Sequence, residues 1–134
     1  MHQITWDQTL SVQIDEIDQD HQRLVELHNL LARAVEEGEP VDYIQALLAE
    51  LVSCTQCHFH HEERLMVKYG YDDMAEHRAE HDSLMASVRE LQARSQRDGG
   101  TLDADDVRFL EQWLTGHILG LDMDLGAFLA ETMD

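Results

Sequence analysis

Ten residues near the middle of the chain, Cys54-Thr55-Gln56-Cys57-His58-Phe59-His60-His61-Glu62-Glu63, carry two thiols, three imidazoles and two carboxylates. Three chemistries compete for them. Cys54-x-x-Cys57-His58 has the form of a c-type haem attachment site. Cys54-x-x-Cys57 alone could act as a redox thiol pair. His58-x-x-x-Glu62 sets two metal ligands one turn apart on a single helix face.

The elements that hold these residues come from the apolar periodicity. Residues 1–17 carry Trp6, Leu10, Val12, Ile14 and Ile17 without a long helical period, and read as an extended arm laid against the body. A first helix is predicted from Asp18 or Gln19, with Asp15 and Asp18 available as caps. Leu24, Leu27, Leu30, Leu31, Ala34 and Val35 form its stripe, and Gly38 and Pro40 end it. A second helix spans 41–69, with Ile44, Leu47, Leu48, Leu51, Val52, Thr55, Phe59, Glu62, Leu65 and Met66 on one face and Gly70 as its stop.

A third helix follows Asp72 or Asp73 and carries His77, His81, Leu84, Met85, Val88 and Leu91 up to the turn at Asp98-Gly99-Gly100. A fourth opens near Leu102 or Asp103, with acids in its first turn. It runs to the C-terminus through Val107, Leu110, Leu114, His117, Ile118, Leu121, Leu125 and Phe128. The expected fold is all-α: an antiparallel up-down four-helix bundle over 18–134 with an N-terminal arm over 1–17, forming a single domain over 1–134.

Composition narrows the function. A chain of 134 residues with 43% hydrophobic content can build one core. No apolar run reaches the length of a membrane span. The start, Met1-His2-Gln3-Ile4-Thr5-Trp6-Asp7, lacks a basic segment followed by an apolar one, which argues against a signal peptide. The default location is then the cytoplasm, where two cysteines stay reduced. The formal charge is −19, with 28 acids against 9 Lys and Arg. That disfavours nucleic acid and anionic membrane surfaces as partners, since both need neutralising cations.

Nine histidines are another matter. His21 falls in the first turn of helix one, His58 and Glu62 on helix two, His77 and His81 on helix three, and His117 and Asp122 on helix four. All lie on or beside the apolar stripes, which point inward in a bundle. Burying five imidazoles and two carboxylates without partners costs several kcal/mol, and metal relieves that cost. The set exceeds one four-coordinate zinc. It suits two six-coordinate ions with both carboxylates bridging, and it favours iron or another transition metal over magnesium or calcium. Seven protein ligands and one bridging oxygen leave a position open for a small ligand. His117 and Asp122 sit five residues apart, about 140° around an ideal helix. A π-type widening eased by Gly116 and Gly120 would turn both inward.

The sequence resembles the bacterial branch of the hemerythrin family over nearly its whole length. The likeness runs from Trp6…Ser11-Val12…Ile14…Ile17-Asp18…His21 through His58-Phe59-x-x-Glu62-Glu63-x-Leu65-Met66. It continues through His77-x-x-x-His81 to Trp113-Leu114-x-x-His117-Ile118-x-x-x-Asp122. This resemblance implies reversible O₂ binding at a non-haem di-iron centre, for storage, transport or sensing, and no enzymatic activity. It assigns His77, His81 and His117 to one iron and His21 and His58 to the other, whose open position takes O₂, NO or a small anion. Glu62, Asp122 and an oxo or hydroxo group would bridge the irons. Leu114, Ile118, Phe59 and Trp113 would line the O₂ pocket, and a protein partner would receive the O₂. Two departures stand out: Leu125 occupies a position where relatives often carry Tyr, and the pair Cys54/Cys57 is not part of the family pattern.

The competing readings fare worse. Haem attachment through Cys54, Cys57 and His58 would need export and would remove His58 from a complete ligand set. A ferritin-like di-iron enzyme, acting as an oxidase or on peroxide or NO, uses Glu-x-x-His pairs, and no Glu here has His at the third position after it. His61-Glu62-Glu63-Arg64-Leu65 lacks the second His of a zinc-protease motif. Cys54 and Cys57 read as incidental thiols near the core. His2 belongs to the arm, His60 and His61 should be exposed, and His28 reads as a polar core residue rather than a ligand.

Overall fold

Five helical segments succeed one another in a computed structural model that describes residues 3–133: α1 (Asp15–Glu36), α2 (Val41–Tyr69), α3 (Met74–Arg97), α4 (Ala104–Leu119) and α5 (Leu121–Thr132). His2 lies outside the described residues. α1 packs on α2 and α4, and α3 packs on the same two helices. That closed ring of neighbours is the four-helix bundle expected from the apolar stripes, and no strand occurs among the described residues. No helix is long and apolar enough to cross a membrane.

α2 keeps the bounds read from the sequence and stops where Gly70 enters the left-handed region, φ 70°. α4 opens on a capping box in which the Asp103 carboxylate accepts from the Asp106 amide and the Asp106 carboxylate accepts from the Asp103 amide.

α1 begins earlier than expected, at Asp15, within the stretch assigned to the arm. Asp15 and Asp18 do not cap it: Ile14 holds the cap position without a side-chain bond. Asp18 instead reaches back to the arm, accepting from the Ser11 hydroxyl at 2.6 Å and the Val12 amide at 2.8 Å. The two bonds fold the arm sharply onto α1, and Gln13 takes a positive φ of 67° at the bend. The arm is also not wholly extended, since Gln8–Leu10 forms a 3-10 turn.

The fourth helix differs most from expectation. No π-type widening joins His117 to Asp122. The helix breaks at Gly120, whose φ −95° and ψ −113° leave the helical region, and restarts as α5. The reason is steric: a Cβ on Gly120 would stand 2.8 Å from the Gly116 carbonyl oxygen. Glycine therefore lets the chain turn tightly enough to swing Asp122 inward, where it is fully buried.

The apolar interior falls into two clusters. The larger gathers Leu24, Leu48, Leu51, Val88, Leu110 and Leu114 among others. The smaller consists of Val12, Ile14, Ile17, Leu65, Met66, Leu125 and Leu129. Some buried polar residues fall between them along the helices, as His21 does between Ile17 and Leu24 on α1 and Asp122 between Ile118 and Leu125 across the break.

Candidate metal centre

All seven residues singled out from the sequence meet in one buried layer. His21, His58, Glu62, His77, His81, His117 and Asp122 are each at most 3% exposed. Each helix delivers its share from its inward stripe, so the bundle itself sets the geometry.

The two carboxylates stand at the centre. Glu62 Oε1 faces His81 Nε2 at 2.9 Å, His77 Nε2 at 3.4 Å and His117 Nε2 at 3.5 Å. Its other oxygen faces His58 Nε2 at 3.2 Å and His21 Nε2 at 3.7 Å. Asp122 Oδ1 meets His77 Nε2 at 2.9 Å, and Oδ2 meets His21 at 2.7 Å and His117 at 2.8 Å. The donor atoms form two groups able to hold a cation: His21, His58, Glu62, His117 and Asp122, and Glu62, His77, His81, His117 and Asp122. The groups overlap in both carboxylates and in His117.

Despite these short distances, several of the atoms are not aligned for a hydrogen bond, among them Nε2 of His58, His77 and His117, Oε2 of Glu62 and Oδ1 of Asp122. Buried polar atoms are rarely left so in a folded chain. A cluster of imidazole nitrogens and carboxylate oxygens, unsatisfied and converging, fits a pair of transition-metal ions.

A family model described as Hemerythrin HHE cation binding domain matches residues 12–129. The chain belongs to the hemerythrin family. It is similar to a myohemerythrin of Riftia pachyptila, 34% identical over 87% of this chain and 86% of that one. It is similar also to a bacteriohemerythrin of Stenotrophomonas maltophilia (strain R551-3), 34% identical over 89% of this chain and 76% of the relative. A crystal structure of wild-type hemerythrin superposes with a TM-score of 0.87 at 30% identity, covering 95% of this chain and 98% of the other.

Around the buried His, Glu and Asp layer of this member of the hemerythrin family stand three further carboxylates that sequence reasoning missed. Asp20 Oδ2 lies 3.1 Å from Nδ1 of His58, Glu63 Oε2 lies 2.8 Å from Nδ1 of His81, and Glu80 Oε1 lies 3.4 Å from Nδ1 of His117. With the proton on the outward nitrogen each carboxylate would accept it, leaving Nε2 facing inward and able to hold a metal. A signal was present: Asp20, Glu63 and Glu80 each sit next in sequence to His21, Glu62 and His81. A neighbour on a helix points about 100° away, onto the seam with the adjoining helix.

The field of the two buried carboxylates raises three of the imidazoles. Burial pulls His77 down, but the Asp122 and Glu62 carboxylates beside its Nε2 outweigh it and lift its pKa to about 9. His58 and His117 rise well above the ordinary value, against burial, through Glu62 and Asp122 respectively. Burial would raise Glu62 and Asp122, yet the surrounding imidazoles hold both below their usual range.

The four expected pocket residues are buried in one apolar cluster. Phe59 stacks on His81 with ring centroids 3.9 Å apart and meets His117 edge-on at 4.8 Å. Leu114 and Ile118 are buried in the same apolar cluster as Phe59. Trp113 is tied to α3, its indole N–H donating to the Leu84 carbonyl at 3.0 Å. Leu125 is fully buried in the smaller cluster.

Cys54 and Cys57 are both free, Cys54 half-buried and Cys57 exposed. His28 is buried, in keeping with its reading as a core residue, and His60 is exposed. His61 is not simply exposed: it is half-buried, with Nδ1 2.6 Å from Asp20 and Nε2 2.8 Å from Glu16.

Proposed function

We propose that this hemerythrin binds O₂ reversibly at a non-haem di-iron centre, in storage, transport or sensing. The observation that carries the reading is the division of Glu62: one oxygen towards His77, His81 and His117, the other towards His21 and His58. That division supports three histidines on one iron and two on the other, with Glu62 and Asp122 as bridges alongside an oxo or hydroxo group. An iron held by His21 and His58 would have fewer protein ligands than its neighbour, leaving it the side to take O₂, NO or a small anion. A ferrous pair held by these residues would supply the reversible two-electron chemistry that O₂ binding needs.

The chain's own part is to orient and to exclude. Asp20, Glu63 and Glu80 fix the ring orientation of His58, His81 and His117. Leu114, Ile118, Phe59 and Trp113 form the apolar wall that keeps water from the bound ligand. Leu125 offers that wall no phenol to donate a hydrogen bond. Glu62 and Asp122 are the only carboxylates in the two donor groups among the described residues. This imidazole-rich set supports binding rather than oxidase chemistry, which draws on more anionic ligands. The free thiols support a cytoplasmic location.

The test is an optical spectrum of the iron-loaded protein taken through a cycle of deoxygenation and O₂ exposure. A blue-violet charge-transfer band should appear with O₂ and vanish on its removal. A protein that takes up two irons but shows no reversible band would refute the reading.

A further inference from the structure

A cleft of about 360 Å³ opens on the outer seam of α1 and α2, and its walls include Cys54, Cys57, His61, Arg64, Asp20 and the outward edge of His58. It contains the cysteine pair that the metal centre does not use. Cys57 is exposed and Cys54 half-buried in the same wall, so an oxidant from solvent meets Cys57 first. We propose that the two thiols form a hydroperoxide-reducing site, with Cys57 as the attacking thiol and Cys54 as the resolving one.

The chemistry balances within the cleft. The Cys57 sulfur attacks one oxygen of hydrogen peroxide. The O–O bond breaks, an S–O bond forms, and the thiol proton leaves with the other oxygen as water. The Cys54 sulfur then attacks the Cys57 sulfur. The S–S bond forms, the S–O bond breaks, and the hydroxyl leaves as water with the Cys54 proton. Two electrons from the thiol pair reduce one peroxide to two waters. Arg64 lines the same cleft and carries guanidinium N–H donors for the leaving oxygen.

Helix geometry decides what kind of disulfide results. Residues three apart on a helix have Cα atoms about 5 Å apart, inside the disulfide range. Their Cβ atoms lie about 5–6 Å apart, beyond the roughly 4 Å that a disulfide needs. Closure therefore requires α2 to give locally at Cys54–Cys57, and the strained bond reopens readily to a cellular dithiol. Reopening restores the pair for another peroxide. The source of the oxidant rests on the O₂-binding reading, because hydrogen peroxide is the two-electron reduction product of O₂; the thiol chemistry does not.

The test adds stoichiometric hydrogen peroxide to the iron-loaded protein and reads free thiols and intact mass. The wild-type protein should lose both thiols and two hydrogens, with recovery on adding dithiothreitol. Cys54→Ser should stop at a sulfenic acid on Cys57 that dimedone traps. Cys57→Ser should lose its remaining thiol roughly tenfold more slowly than the wild type, if it loses it at all. The inference fails if wild-type thiols survive the peroxide, if Cys57→Ser oxidises at the wild-type rate, or if the product is a disulfide-linked dimer. Both serine variants should keep the O₂ spectrum, so failure here and failure of the O₂ reading are distinguishable.

Discussion

Nε2 of His21 stands 2.7 Å from Oδ2 of Asp122, across 101 residues of sequence. The contact ties the start of α1 to the first turn of α5, and it depends on the break at Gly120. Asp122→Asn keeps the volume but removes the charge that two ions would share. The variant should retain the fold and lose about half its iron. Metal analysis beside a circular dichroism spectrum checks this; full two-iron occupancy would remove Asp122 from the ligand set.

Protons and metal compete for the same imidazoles, so stability without metal depends on pH. His77 has its pKa lifted from 6.5 to about 9, and His58 and His117 shift the same way. The stabilisation from these protonated rings is fully present below about pH 6.5 and is lost as pH rises through about 9. Glu62 and Asp122 are depressed. Their contribution is present above the ordinary carboxylate values and is lost as pH falls through the lowered ones. Metal-free protein should therefore have its highest melting temperature between about pH 4.5 and 6.5 and weaken towards pH 9. A melting temperature that climbs over pH 6.5–9 would contradict this.

Two glycines separate packing from metal binding. A Cβ on Gly126 would lie 2.4 Å from the Val12 carbonyl oxygen and 2.7 Å from the Val12 Cβ. Gly126→Ala should cost about 1–3 kcal/mol by pushing the arm off α5. Gly120→Ala meets the Gly116 carbonyl instead, and should also lower iron occupancy by displacing Asp122. Urea unfolding and metal analysis of the two variants check the contrast.

The outer carboxylates should matter without touching metal. Asp20→Asn and Glu63→Gln each weaken the acceptor for an outward Nδ1–H, at His58 and His81 respectively. Each should lower metal affinity by about 10–100-fold. Chelator competition measures this, and unchanged affinity in both would assign these residues to surface charge alone.

The bundle was legible because its stripes recur at three and four residues and because Gly70 and Asp103 mark helix ends by mechanisms that act within a few residues. The buried convergence of the seven polar residues was legible for the same reason, since they stand on apolar stripes. What lay hidden depends on contacts between elements. Nothing local says that Glu80 will face His117 on another helix, or that Asp18 will bind the arm rather than cap α1. The break at Gly120 escaped because the spacing of His117 and Asp122 demanded a distortion without specifying which one.

The ligand layer also divides the molecule as a folding object. The smaller apolar cluster, drawn from the arm, the start of α1, the end of α2 and α5, meets the rest across ionisable side chains rather than across a continuous oily core. Bound metal would then fasten two cooperative units together. Without it, the end of the bundle beneath the ligands becomes the least costly place to open. Amide hydrogen exchange should then part company at a single residue, with α5 exchanging early and α4, just across Gly120, holding on.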